Sequence, residues 1–574
     1  MEFAEAIRKS QISGVTIKRG PARHLLNRAG TLNISGHHLI FAATPDGDKK
    51  SGLDNELMMF HKSVDRCVAE PLNKTDPNAG GGRLIAYCKD FMVCTFETQT
   101  YEDAHVVCQS IQLLSNLTDI RQHFPFFYRP DFTVVEDGWK AFTVDELFAR
   151  VQLHADKQWR ITDVNKDYKV CATYPNRVLV PASVTDEQLT ASASFRDGGR
   201  FPTLSYVHHD TKSCLLRCGQ PLVGLNNRRC REDESLLSSL LHVAHRGFII
   251  DTRSQAAAQA AVNKGGGFEP DGCYSRWKRV HCPVPRWTQY KEALSKLVDA
   301  CSDTSSDRFY GRLSSSNWLH CVSEALTCAC VTAQCLVNVV SSVSLSPTSP
   351  TVEKLEIPVL VHDTEGMDES LIVTSLVSVI LDKDARTIRG FESLIQREWV
   401  DAGHPFSTRV AHLAYASGQL TGPKEAPTFL LFLDAVWQIY QQYTCSFEFT
   451  EKFLLTLYDH CCASDFGTFL GDCDKQRHEY GVQKSTVSLW SYLNRPEILP
   501  TFLNHYYDPN DSPLWPSVAS QSLNLWERMY LRWHRDWSLQ DEVQAKYDAL
   551  KEKHAALVKQ VLRARRQLAE LDAA

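Results

Sequence analysis

The segment "HDTEGMDE", residues 362–369, places four carboxylates in eight positions. An apolar run, Ile357 to Val361, leads into it, and the apolar-periodic stretch "SLIVTSLVSVI" follows. That order predicts a strand, a tight loop and a helix. Backbone N–H groups at such a helix N-terminus point at whatever lies over it, normally an anion. Asp363, Glu365, Asp368 and Glu369 stand where that anion would sit. An aspartyl nucleophile at Asp363 would need a metal and a second Asp two residues on, and Glu365 imitates that poorly. An adventitious cation is the other use for such acids.

Other constellations are weaker. "CATYPNR" (171–177) and "CYSRWKR" (273–279) space a Cys and an Arg as a phosphate loop does, but neither contains a glycine, and Pro175 removes an N–H. Both are expected to be structural. "CLLRC" (214–218), "CAC" (328–330) and "HCC" (460–462) lack paired C-x2-C spacing, so structural thiols are expected and no metal. The "GGG" at 265–267 has no following Lys-Ser/Thr and reads as a loop. His208 and His209 read as surface residues.

The elements that must position the loop follow from patterning. Residues 1–120 predict a β-rich unit closed by a helix: "GTLNISGHHLIFA" (30–42) and "RLIAYCKDFMVCTFET" (83–98) are each strand, turn, strand. Thr100 with Asp103 approximates a capping box, and Ala104, Val107, Cys108, Ile111 and Leu114 follow at helical spacing. "NKTDPNAGGG" (73–82) reads as an exposed loop. From about 135 to 535, helix-like and strand-like segments alternate, which predicts an α/β domain around a central sheet. Breaks fall at "NKGGGFEPDG" (263–272), "SLSPTSPT" (344–351), "TGPKEAP" (421–427) and "DPNDSP" (508–513).

Composition bounds the function classes. A chain of 574 residues holds about two to four domains. A net charge of −6 offers no global basic field to nucleic acid. Nineteen scattered cysteines, several in apolar stretches such as Cys328, Cys330 and Cys335, predict reduced thiols in a cytosolic protein. "MEFAEAIRKSQ" has no apolar h-region, so no secretory signal is expected. "LTCACVTAQCLVNVVSSVSL" (326–345) is interrupted by Gln334 and Asn338 and reads as a buried core helix. Membrane contact is expected to be peripheral.

Residues 539–571 carry a different pattern. Val543, Leu550, Leu557, Ala564 and Leu571 are seven apart, and Tyr547, His554, Val561 and Leu568 interleave. That is a/d patterning over about four heptads, a coiled coil. With Val543 as d, the g positions are Lys546, Lys553, Gln560 and Gln567, and the e positions Gln544, Lys551, Val558 and Arg565. None is acidic. A parallel homodimer would gain no attractive e/g pairs, whereas a partner helix with Glu or Asp there would pair well. Antiparallel pairing changes that arithmetic, so a homodimer remains the alternative.

Ordered blocks along the chain resemble the myotubularin-related family: "WRITDVNKDYKVCATYPNRVLVPASVTDEQL", "ASFRDGGRFPTLSYVH", "FIIDTRSQAAAQAAVNKGGGFE", "GRLSSSNWLHCV", "RTIRGFESLIQREWVDAGHPFSTR", "SFEFTEKFLLTLYDH", "SLWSYLNRP" and "LWERMYLRW". The resemblance implies a PH-GRAM domain over 1–120, a cysteine-phosphatase-like domain over 135–535 and a coiled coil at 539–571. Active members of that family remove the 3-phosphate of phosphoinositides with a loop reading His-Cys-Ser-Asp-Gly-Trp-Asp-Arg. Here His362, Gly366 and Asp368 match. Asp363 stands at the nucleophilic thiolate, Thr364, Glu365 and Met367 replace Ser, Asp and Trp, and Glu369 stands at the arginine clamp.

Each of those two exchanges is sufficient to stop the reaction. A carboxylate cannot replace the attacking thiolate, and Glu369 reverses the sign of the group that clamps the phosphoryl oxygens. A like charge at 4 Å costs about 4 kcal/mol at an effective dielectric near 20, more than the helix dipole returns at about 1 kcal/mol. With up to four carboxylates lining the loop, the pocket is expected neither to cleave nor to hold a 3-phosphate tightly. Some of them are expected to protonate, because crowded carboxylates raise one another's pKa. The resemblance further implies a pseudophosphatase that pairs with active members, the subgroup of proteins 6, 7 and 8, and raises or localises their activity in the cytoplasm or on endosomal and other intracellular membranes. The alternative is an independent adaptor that meets phosphoinositide membranes through the PH-GRAM domain. Arg8, Lys9, Lys18, Arg19, Arg23 and Arg28 are the basic residues that could form the patch. No cofactor is expected.

Overall fold

In a computed structural model, residues 3–45, 55–73, 75, 80–153, 158–241, 246–304, 307–337, 356–415 and 424–572 are described. "SLSPTSPT" lies outside them, as do 421–423 and most of the 73–79 stretch.

The N-terminal strands are β1 (Gln11–Arg19), β2 (Ala29–Ile34), β3 (His38–Ala43), β4 (Glu56–Phe60), β5 (Val64–Pro71), β6 (Gly82–Cys88) and β7 (Val93–Thr98). They form one antiparallel sheet in the order β4-β3-β2-β1-β7-β6-β5. Alternation sets its inner face: Leu84, Ala86 and Cys88 of β6 are buried. The helix Tyr101–Ser115 lies against that face with Ala104, Val107, Cys108, Ile111 and Leu114 buried, as their spacing predicts. Thr100 Oγ1 accepts the Asp103 N–H (3.2 Å) and donates to the Asp103 carboxylate (2.8 Å), so only half of the capping box forms.

Beyond it, β8 (Trp159–Thr162) and β9 (Val178–Pro181) make a short antiparallel ribbon. A five-stranded sheet follows, from β10 (Thr203–Val207), β11 (Cys214–Cys218), β12 (Gly247–Asp251), β13 (Trp277–His281) and β14 (Val359–His362). Its order is β10-β11-β14-β12-β13; only β10 runs antiparallel to its neighbour. β14 is central, and residues of the sheet alternate between two cores. Leu215, Ile250, Val359 and Val361 face the helices Trp318–Val337, Glu369–Leu381 and Thr428–Gln442, while Leu216, Ile249 and Leu360 face the other layer. A central parallel strand buried on both faces places its C-terminal end at the mouth of the sheet, where ligands of open α/β folds bind.

Trp318–Val337 has the length and apolarity to cross a membrane, yet Trp318, Val322, Leu326, Cys328 and Leu336 pack in the core. The N-terminal sheet is joined to the rest through buried Asp65, whose carboxylate accepts the N–H groups of Leu413 and Tyr415 at 2.7 Å each. A single helix, Ser538–Asp572, ends the chain.

One surface expectation fails. His208 is buried, with its Nδ1 accepting the Thr211 N–H at 3.2 Å; only His209 is exposed. His208 follows the last residue of the fully buried β10, and the turn to β11 folds back over it.

Candidate functional site

The loop 363–368 connects the C-terminal end of β14 to the helix Glu369–Leu381, the strand–loop–helix order read from the sequence. Every residue of that helix is buried. Gly366 sits at φ +75°, and a Cβ there would lie 2.7 Å from the Cys218 carbonyl oxygen, so this turn admits only glycine. The loop is braced from several sides. Gln220 N–H donates to the Thr364 carbonyl (3.2 Å), Arg200 Nη2 to the Gly366 carbonyl (2.6 Å), and His404 Nδ1 to the Met367 carbonyl (2.9 Å).

Asp363 turns into the cradle. Its Oδ1 accepts the Gly366 N–H, and its Oδ2 accepts the Ser370 N–H (3.0 Å) and hydroxyl (3.1 Å). These are the donors an oxyanion would use over this helix N-terminus. The chain supplies its own carboxylate to them.

The other three acids do not line the pocket as bare charges, so the limit of four lining carboxylates is not reached. Asp368 is forked by Arg409: Nε donates to Oδ1 (2.9 Å) and Nη2 to Oδ2 (2.5 Å), with Thr428 Oγ1 at 3.2 Å. Burial opposes its charge, but the Arg409 fork prevails and holds its pKa below the usual range. Glu369 is buried, and its Oε1 has no partner among the described residues. Burial first, then the nearby Asp363 and Asp368 carboxylates, push its pKa well up, so it is held neutral. Glu365 reaches outward to Lys424 (3.4 Å). The mutual repulsion expected among the acids survives only at Glu369; elsewhere local partners remove it.

Beneath the loop lies a buried ionic network that pattern reasoning missed. His362 Nε2 donates to Glu269 Oε2 (3.1 Å) and its Nδ1 to the Asp363 carbonyl (3.2 Å). Burial works against the charged imidazole, but Glu269 and Asp251 raise its pKa. Arg196 donates to Glu269 (2.6 Å) and, through Nε and Nη2, to Asp233 (2.9 and 2.6 Å). Arg253 pairs with Asp251 (2.8 and 2.9 Å) and reaches Gln220 (2.6 Å). Glu269 falls in the Gly-rich stretch 263–272, which by composition reads only as a break; no periodicity marks it as buried. Two cavities of about 580 and 700 Å³ lie elsewhere, and no residue of 362–369 lines either.

Cys171 is buried against Thr173 and the Gly198 carbonyl, while Arg177 is forked to Asp145 (2.7 and 2.9 Å). Arg279 donates to the Glu269 carbonyl (2.5 Å). The basic residues near the N-terminus are largely engaged within the chain: Lys9 with Asp103, Lys18 with Glu97, Arg19 with His534, Arg23 with Asp536, and Arg28 with Asn55.

On the terminal helix, Val543, Leu550, His554, Leu557, Val561, Ala564 and Leu568 are exposed, Leu550 by 66%. Leu539, Val558 and Leu562 add to the apolar face. Tyr547 is half-buried, its ring stacked on Tyr506 with centroids 5.4 Å apart and Lys551 over both rings. The Leu571 side chain lies outside the described residues.

A mostly parallel sheet whose central strand opens into a glycine-turned loop at a buried helix N-terminus is the frame of an open α/β domain. A family model described as the myotubularin-like phosphatase domain matches residues 123–478, and the chain belongs to that family. It is 43% identical over its whole length to Myotubularin-related protein 9 of Caenorhabditis elegans and 42% identical to that of Homo sapiens, covering 98% of each. It is also 31% identical, over 92% of this chain and 81% of the relative, to phosphatidylinositol-3,5-bisphosphate 3-phosphatase MTMR6 of Homo sapiens.

Proposed function

We propose that this chain is a non-catalytic regulatory subunit of an active phosphoinositide 3-phosphatase of its own family. One observation carries the loss of catalysis: the Asp363 carboxylate occupies the N–H groups of Gly366 and Ser370 that would receive phosphate. At the two positions where active relatives hold a thiolate and an arginine, this chain has Asp363 and the neutral, buried Glu369. The regulatory role is supported by the terminal helix, whose exposed a/d residues, Leu550 through Leu568, are flanked by basic and neutral e/g positions suited to an acidic partner helix. In this reading that helix is a coiled-coil strand and the partner belongs to the subgroup of proteins 6, 7 and 8.

Co-purification with such an active relative, for the full chain and for a chain lacking 538–574, tests the pairing. Capture is expected only with the helix present; capture that survives its removal would refute the assignment.

A second reading has its own support. Seven antiparallel strands closed by a helix have the outline of a PH-GRAM domain, and Arg8, Lys18, Arg19 and Arg23 lie on its exposed surface. In that reading this unit brings the assembly to phosphoinositide membranes, endosomal ones included.

A further inference from the structure

We propose that the segment His534–Asp536 is a built-in occupant of an anion site made by Arg19 and Arg23, so that lipid headgroup phosphates there and a seated C-terminal helix exclude one another. This rests on the reading of the N-terminal sheet as a membrane-facing unit. Arg19 ends β1 and Arg23 follows in the turn to β2; both are exposed. A guanidinium pairs best with a carboxylate or phosphate. Among the described residues Arg19 has neither: its Nη2 donates to Nε2 of His534 (3.0 Å), an imidazole kept neutral by burial and by Arg19 itself. Arg23 Nη1 donates to Asp536 Oδ2 (2.8 Å), a pair more than half exposed on both sides and therefore weak. A phosphate offered to both arginines would meet one neutral competitor and one solvent-screened carboxylate.

The segment that would be displaced is the base of the helix. Asp536 Oδ1 accepts the Ser538 N–H (3.1 Å), at the helix's first residue. Arg528 donates to Asp541 (2.7 Å) and lies over the Trp537 ring. Just before it, Arg532 bridges Asp459 (2.6 Å) and Asp90 (3.2 Å), and Trp533 Nε1 donates to the Asp90 carbonyl (2.9 Å). Asp90 sits in the β6–β7 turn, so the N-terminal sheet grips this segment at two places. Loss of the Arg19 and Arg23 contacts leaves the Asp90 contact as the hinge, with Arg528 on Asp541 and Tyr506 on Tyr547 as the remaining holds. Contact with an anionic membrane thereby loosens the helix that would meet a partner.

The test uses the full chain, Asp536→Asn, and the double variant Arg19→Ala/Arg23→Ala. An Asn amide oxygen accepts the Ser538 N–H as the Asp carboxylate does, so Asp536→Asn removes the charge and keeps that turn. Each protein is sedimented with vesicles of phosphatidylcholine, alone or with phosphatidylinositol 3-phosphate, and hydrogen exchange is followed over 538–547. Asp536→Asn is expected to partition roughly fivefold more onto the anionic vesicles. Vesicles are expected to speed exchange at 538–547 in the unsubstituted chain. The double variant is expected to exchange fast there without vesicles and to sediment less. Equal partition of the unsubstituted chain and Asp536→Asn, or exchange unchanged by vesicles, would overturn the competition while leaving the membrane reading intact. No sedimentation by any of the three would overturn both. The same exchange change with inorganic phosphate alone would overturn the assignment to a lipid surface.

Discussion

The loop 362–370 and the helix 538–572 are opposites in how they spend their chemistry. The loop is closed inward: Asp363 takes the cradle's own N–H groups, Arg409 neutralises Asp368, and Glu369 is buried and uncharged. The helix is open outward: Leu550, Leu557, Val561 and Leu568 face solvent, and beyond Tyr547 the described residues of its apolar face are uncovered. A loop whose acids were merely tolerated would carry unpaired charges. Among the described residues this one is internally satisfied apart from Glu369, while the uncovered apolar side chains lie on the terminal helix.

Breaking the inward side gives the largest effect. Arg409→Ala leaves Asp368 charged and buried, and should cost about 3–5 kcal/mol of unfolding free energy, read by denaturant titration. A loss under about 1 kcal/mol would mean that Asp368 finds water or another donor. Breaking the outward side should leave stability alone. Leu557→Asp with Val561→Asp is expected to weaken capture of an active relative by about 100-fold or more, since each side chain gives up about 1.5 kcal/mol or more of burial. The melting temperature of the chain alone should stay put, because both side chains are about half exposed.

Asp363→Ala sharpens the contrast. It should cost about 1–2 kcal/mol through lost capping of the Ser370 N–H. It should also let tungstate, a tetrahedral oxyanion, raise the melting temperature of the variant but not of the unsubstituted chain. At low pH the smallest effect is expected from Glu369→Gln. The folded pKa of Glu369 is raised above its unfolded value near 4.5, so the stability of the neutral acid is complete below that pH and is lost as pH rises toward the folded pKa. Gln does not titrate. The variant's melting temperature should therefore match that of the unsubstituted chain below pH 4.5 and exceed it as pH rises above that value.

The parts legible in the sequence were those governed by short-range periodicity. The apolar run into Asp363 and the fully apolar helix after it announced β14 and the helix Glu369–Leu381. Heptad spacing placed the terminal helix to within a residue at each end, and the spacing of Ala104 to Leu114 identified the inner face of the helix that covers the N-terminal sheet. What stayed hidden depends on partners far along the chain. Arg409, 41 residues after Asp368, decides that acid's charge; Glu269, 93 residues before His362, decides the imidazole's. Tyr506 covers Tyr547 for the same reason, and no local pattern connects the two. The acids of the loop were visible, but not the direction each one points.

Phosphate release from phosphatidylinositol 3-phosphate tests the central claim most directly. It should be measured for the purified chain alone, for an active relative alone, and for that relative with the full chain or with a chain lacking 538–574. The inward loop and outward helix predict no release above background from the chain alone, and a rate for the relative that changes only when the helix is present. Release that scales with the concentration of the chain alone would contradict the account.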